Sequence, residues 1–132
     1  MDKPSKLSLL SDLIALARVS DGVKDIEHSF LVVVANQMGI SETDLKLLYD
    51  VPQKPVPIQP EANRILHFHR LVLMMNVDRD TDALELVKVK NFGLRMGLSQ
   101  EAVTTVLKVM DDYPNKVVPP DVLIKIFKTQ HN

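Results

Sequence analysis

"LVVVANQMGISETD", residues 31–44, can be read as a strand or as a helix. Its β-branched core, "VVVAN" at 32–36, suits a pleated sheet. Its length and its flanks favour a buried helix. Gly39 is placed to take the left-handed conformation that closes a helix. Ser41 then opens the next one, its oxygen meeting the amide three residues on, with Asp44 in the reciprocal position. Two helices separated by a glycine stop and a serine start fix the character of the chain here.

The same punctuation carries the reading outward. Apolar residues recur at three- and four-residue spacing almost throughout, and no alternating pattern lasts beyond a few residues. The expected helices are about Lys6–Val19, about Asp25–Met38, a third opened by Ser41, about Glu61–Asn76, about Asp82–Met96 ahead of Gly97, a sixth capped by Ser99 and running to about Asp112, and about Pro120–Thr129. The first is amphipathic through Leu9, Leu13, Leu16 and Ala17, and the last through Val122, Leu123, Ile126 and Phe127. Prolines at 52, 55, 57 and 60 remove amide donors and restrict their neighbours, so 51–60 is an extended connector. The expected fold class is all-α, a bundle of about seven helices.

A shift of 58 residues lays the chain on itself without a gap. "QMGIS" (37–41) meets "RMGLS" (95–99), Leu13 meets Leu71, Val19 meets Val77 and Glu27 meets Glu85. Six of the 33 positions in 13–45 are identical, and many others pair apolar with apolar. One domain spanning 1–132 is expected, with halves at about 6–50 and 61–130 joined by the proline-rich connector.

Each half carries an acidic turn. "VSDGVKDIE" (19–27) holds Asp21, Asp25 and Glu27, and "VDRDTDALE" (77–85) holds Asp78, Asp80, Asp82 and Glu85. An EF-hand needs oxygen ligands at loop positions 1, 3 and 5, glycine at 6 and glutamate at 12. With Asp21-Gly22 at 5 and 6, the first turn puts Ala17, Val19 and His28 at 1, 3 and 12. Starting from Asp78, the second puts Ala83 and Val89 at 6 and 12. Both fail. Two readings stay open. If the turns converge, Asp21, Glu27, Asp78 and Glu85 form a carboxylate site for a hard divalent cation, Ca²⁺, Mg²⁺ or Mn²⁺, with Asp25, His28, Asp80 and Asp82 as secondary candidates. Alternatively the acids cap helices: Asp82-Ala-Leu-Glu85 has capping-box spacing, and acids at a helix start complement its dipole.

The helix ending "ALARVSDG", the acidic cap after it, and the "GIS" and "GLS" junctions resemble the TerB family of tellurite-resistance proteins, and within it the stand-alone bacterial TerB-like proteins. The resemblance covers roughly residues 7–127. The family pattern is an Asp-Gly turn with a glutamate seven positions after the Asp, once per half. Asp78 to Glu85 keeps the interval, but Arg79 replaces the glycine. Asp21-Gly22 is present in the first half, yet the seventh position is His28, with Glu27 one earlier. The resemblance implies a helical bundle, divalent-metal binding through these acids, a role in stress and tellurite resistance, protein partners that are often membrane-associated, and no catalytic activity. It is compatible with a homo-oligomer. A metal-free interaction module is the alternative.

Composition narrows the classes further. The chain has 132 residues, no cysteine and a formal charge of −1. Thiolate chemistry and disulfides are excluded, and the basic footprint of a nucleic-acid binder is missing. Residues 1–85 carry nine Lys/Arg against thirteen Asp/Glu, and 86–132 carry seven against four. Asp12 breaks the N-terminal apolar run, and no stretch reaches the roughly 18 apolar residues of a membrane span, so a cytoplasmic protein is expected. No phosphate loop, G-x-S-x-G or H-E-x-x-H motif supports an enzyme. His67 and His69 lie on different helix faces and cannot chelate together; a partly buried or surface role is expected of them. Pro52-x-x-Pro55 and Pro57-x-x-Pro60 suit a stiff tether better than a polyproline ligand. The six methionines read as core filler. Lys125 and Lys128 flank an apolar stripe expected to dock on the bundle rather than on a membrane.

Overall fold

Asp2 starts the first helix by accepting a 2.9 Å hydrogen bond from the Ser5 amide at its own Oδ1. That helix, α1 (Lys3–Ala17), begins earlier than its apolar periodicity indicated, because the second helical position tolerates Pro4. The computed structural model describes residues 1–19, 22–78 and 80–130. Among them the regular structure is entirely helical: α1 is followed by α2 (Asp25–Gln37), α3 (Glu42–Asp50), α4 (Glu61–Asn76), α5 (Ala83–Arg95), α6 (Gln100–Val109) and α7 (Pro120–Thr129). The expected all-α bundle of seven helices is what forms. "VVVAN" lies within α2, closed by Gly39 at φ +73°, and the Ile40 amide donates back to the Ala35 carbonyl at 2.9 Å. Ser41 caps α3 by accepting from the Asp44 amide at 3.1 Å.

Two elements differ from expectation. The sixth helix was expected to reach Asp112, but α6 ends at Val109 and tightens into a 3-10 turn over Met110–Asp112. Pro114 has no amide to continue the helix, and a second 3-10 turn, Pro114–Lys116, follows with Asn115 and Lys116 at positive φ. The other difference is α1, which is buried on almost every side rather than on one face. Leu9, Leu10, Leu13 and Leu16 have no exposure, and Ser8 and Ser11 are buried as well. The reason is position: α1 packs against α2, α3, α4 and α5.

The buried serines explain how the connector lies. The Gln53 amide donates to Ser11 Oγ at 3.0 Å and the Val56 amide to Ser8 Oγ at 3.1 Å. Ile58 is buried, and Arg64 Nη1 donates to its carbonyl at 2.9 Å. The proline segment is thus a strap laid along α1. Phe68, Leu71, Met74 and Met75 of α4 complete the centre of one contiguous core, to which Met38 and Met110 also belong. Leu123 and Phe127 dock α7 on it, and α7 contacts α6 and α4. Between α4 and α7 an apolar groove of about 400 Å³ is lined by Leu66, Leu123 and Ile124 among others. No described helix is long and apolar enough to cross a membrane.

Candidate functional site

The first acidic turn ends at the N-terminus of α2. Lys24 is the cap residue and Asp25 the first helical one. A lysine side chain carries no acceptor, so only the return half of a capping box forms: the Lys24 amide donates to Glu27 Oε1 at 2.9 Å. The second turn leads into α5 with a complete box. Asp82 Oδ1 accepts from the Leu84 amide at 2.7 Å and the Glu85 amide at 3.2 Å, and the Asp82 amide donates to Glu85 Oε1 at 3.3 Å. Buried Asn76, at the end of α4, steadies this turn by accepting from the Thr81 hydroxyl at 2.5 Å.

The two turns meet. Lys24 Nζ donates to Asp78 Oδ2 at 2.5 Å, joining residues 54 apart in sequence. Asp78 Oδ1 accepts from the Asp80 amide at 3.1 Å. Glu27 and Glu85 are both buried here, 3% and 6% exposed, and each has one carboxylate oxygen committed to its own helix cap. Asp78 lies close enough to both for its charge to act on them.

The electrostatics follow. Burial is the main force pushing the Glu85 carboxyl up, to about 7; the Asp82 amide opposes it, and the charges of Asp78, Asp82 and Glu27 add to it. Glu27 is raised by the same desolvation and by Asp78, against its cap bond and the Lys24 charge. Burial also pushes Asp78 up, but the bonds from Lys24 and the Asp80 amide outweigh it and hold it below the usual aspartate value. Lys24 is raised by its bond to Asp78. The site thus pairs an Asp78 carboxylate held in its charged form by Lys24 with two glutamates, Glu27 and Glu85, that burial pushes towards the protonated form.

Of the expected ligand residues, Glu27, Asp78 and Glu85 come together. Asp21 lies outside the described residues, as does Arg79. Asp82 is taken up by its cap, Asp25 is exposed, and Asp80 is exposed with its amide on Asp78. His28 does not join them: its Nδ1 pairs with Tyr49 Oη at 2.7 Å, and its Nε2 faces Glu42 at 4.0 Å. The donors that do converge are hard carboxylate oxygens, which suit Ca²⁺, Mg²⁺ or Mn²⁺. As the side chains stand, no three His, Asp or Glu among the described residues are grouped closely enough to hold a metal ion. A cation would have to take Asp78 from Lys24.

A second polar cluster has no motif to announce it. His67, expected to be partly buried or on the surface, is wholly buried because α4 is covered by α1, α5 and α7. Its Nε2 lies 3.0 Å from Asp12 Oδ2, and Asp12 Oδ1 accepts from Arg95 Nη2 at 3.2 Å. Burial lowers the His67 pKa despite Asp12. Asp12, His67 and Arg95 come from three helices, so no local spacing could have linked them. The one signal was an aspartate inside the apolar run of α1.

No protein-family model, no curated protein and no solved structure matches this chain.

Proposed function

We propose that this is a non-catalytic, TerB-like helical protein that binds a divalent cation where its two acidic turns meet, and that engages a protein partner in a stress response. The observation carrying the cation is the convergence of Glu27, Asp78 and Glu85 from turns more than fifty residues apart, two of them buried and raised. Burying carboxylates together is unfavourable unless a proton or a cation compensates them. Glu27, Glu85 and Asp78 would hold the ion, and Lys24 fills in for it on Asp78.

The duplication belongs to the same reading. Gly39 and Gly97 both take positive φ, the Ile40→Ala35 and Leu98→Gly93 backbone bonds correspond, and Ser41 and Ser99 each cap a helix. Every pair is offset by 58 residues. Two related halves placing their acidic turns side by side would build one site from two copies of a motif.

The Lys24–Asp78 pair favours a second reading, a metal-free interaction module in which the ammonium is the permanent counter-charge and the glutamates are caps. Thermal melts in EDTA and then in Ca²⁺, Mg²⁺ or Mn²⁺ separate the two. A ligand at 100 times its dissociation constant adds about 2.7 kcal/mol. Stabilisation that is abolished by Asp78→Asn and strengthened by Lys24→Met supports the cation. No shift with any of the three ions at millimolar concentration leaves the metal-free module.

A further inference from the structure

A cavity of about 300 Å³ lies beneath the proline strap, walled by α1, Arg64 of α4 and the end of α5. It shares no residue with the acidic turns. Its walls combine two guanidinium groups, Arg64 and Arg95, one carboxylate, Asp12, and apolar side chains including Val56, Ile58 and Met96.

Both arginines are held in place. Arg64 Nη1 donates to the Ile58 carbonyl and, at 3.3 Å, to Gln59 Oε1. Arg95 is fixed by Asp12 on one side and by the Phe92 ring, 4.7 Å beneath its guanidinium, on the other. Asp12 is already shared between Arg95 and His67, so the walls carry a surplus of one positive charge. Arg64 Nε is buried with no acceptor among the described residues. An unsatisfied donor on a charged group is costly, and the residue that carries it lines this cavity.

We propose that this cavity binds a small organic monoanion, a carboxylate with a short aliphatic tail, its head between Arg64 and Arg95 and its tail against Val56, Ile58 and Met96. The fork geometry of arginine suits a carboxylate. The volume lies at the lower end of ligand pockets, which limits the tail to a few carbons. The apolar wall gives a simple inorganic anion no advantage over an organic one.

Hexanoate is the test probe, with hexan-1-ol and hexylammonium as matched controls, followed by NMR of methyl groups and of arginine Nε–H signals. Hexanoate should shift the Val56 and Ile58 methyls and the Arg64 Nε–H saturably, and bind at least tenfold more tightly than either control. Arg95→Gln, which leaves the strap bonds of Arg64 intact, should weaken it at least tenfold. Arg64→Gln should do the same where the strap holds. Equal binding of hexan-1-ol, unchanged affinity in Arg95→Gln, shifts confined to Leu123 and Ile124 of the α4–α7 groove, or no shift at tens of millimolar would each overturn the proposal.

Discussion

Lys24 and Asp78 are joined by a 2.5 Å contact between Nζ and Oδ2, although 54 residues separate them and each belongs to a different acidic turn. The Asp78 side chain is nearly buried, while Lys24 is about half exposed. The lysine is the cation in direct contact with a site that otherwise gathers carboxylates.

Removing that charge should be felt by its neighbours. In Lys24→Met, Asp78 loses a hydrogen bond and Glu27 loses a favourable positive charge, so both carboxyls should titrate at higher pH than in the parent. Carboxyl-carbon NMR titration reads both directly. Unmoved midpoints would show that the contact is not populated in solution.

Glu85 gives the chain an unusual pH response. Its carboxyl sits near 7 in the folded state against about 4.5 when exposed, so the folded state binds the extra proton between these values. The resulting stability is fully present below about 4.5 and is lost as pH rises through about 7. Glu85→Gln keeps an oxygen for the Asp82 amide but cannot ionise. It should be the more stable form at pH 8, by on the order of 1 kcal/mol once screening is allowed for, and the advantage should shrink towards pH 5. His67 and His69, whose pKa values burial lowers, act in the opposite sense, but equally in both proteins. Urea unfolding from pH 5 to 8 measures the difference, and a constant gap would contradict it.

The buried Asp12–His67 pair should behave as a coupled unit. Asp12→Ala strands His67 Nε2 in the core and frees Arg95, with an expected cost of about 2 kcal/mol. Replacing both partners by apolar residues, as in Asp12→Leu with His67→Met, should cost less than the two single changes summed. Strict additivity in denaturant melts would mean that the bond contributes nothing.

Gly93 should resist a change that normally helps a helix. A Cβ there would meet Val103 Cγ2 at 2.9 Å and Phe68 Cε1 at 3.2 Å. Alanine gains about 1 kcal/mol of helix propensity over glycine, but overpacking costs about 1–3 kcal/mol. Gly93→Ala should therefore be destabilising, and Val103→Ala in the same chain should relieve part of the loss. A rise in melting temperature for Gly93→Ala alone would show that the contact between α5 and α6 is looser than described.

Local chemistry made most of the helix ends legible. Glu61–Asn76 and Pro120–Thr129 begin at prolines and end where their apolar stripes stop, and both match expectation to the residue. Asp82-to-Glu85 was readable as a capping box because it lies within one turn. Helix α6 was not readable to its end: Asp111 and Asp112 suit an α-turn or a 3-10 turn equally, and only the arrangement around Pro114 selects the tighter one.

What the sequence determined by itself was the all-helical class, the seven segments, the proline break and the two acidic turns, because each rests on contacts within about four residues. Tertiary structure decided everything that joins distant segments. It set α1 at the centre, turned two of its serines to the strap, brought Lys24 to Asp78, and placed His67 between Asp12 and the core. Periodicity shows that a helix has a buried face, but the number of faces covered depends on how many neighbours surround it. A lysine beside an aspartate 54 residues away has no local spacing to betray it.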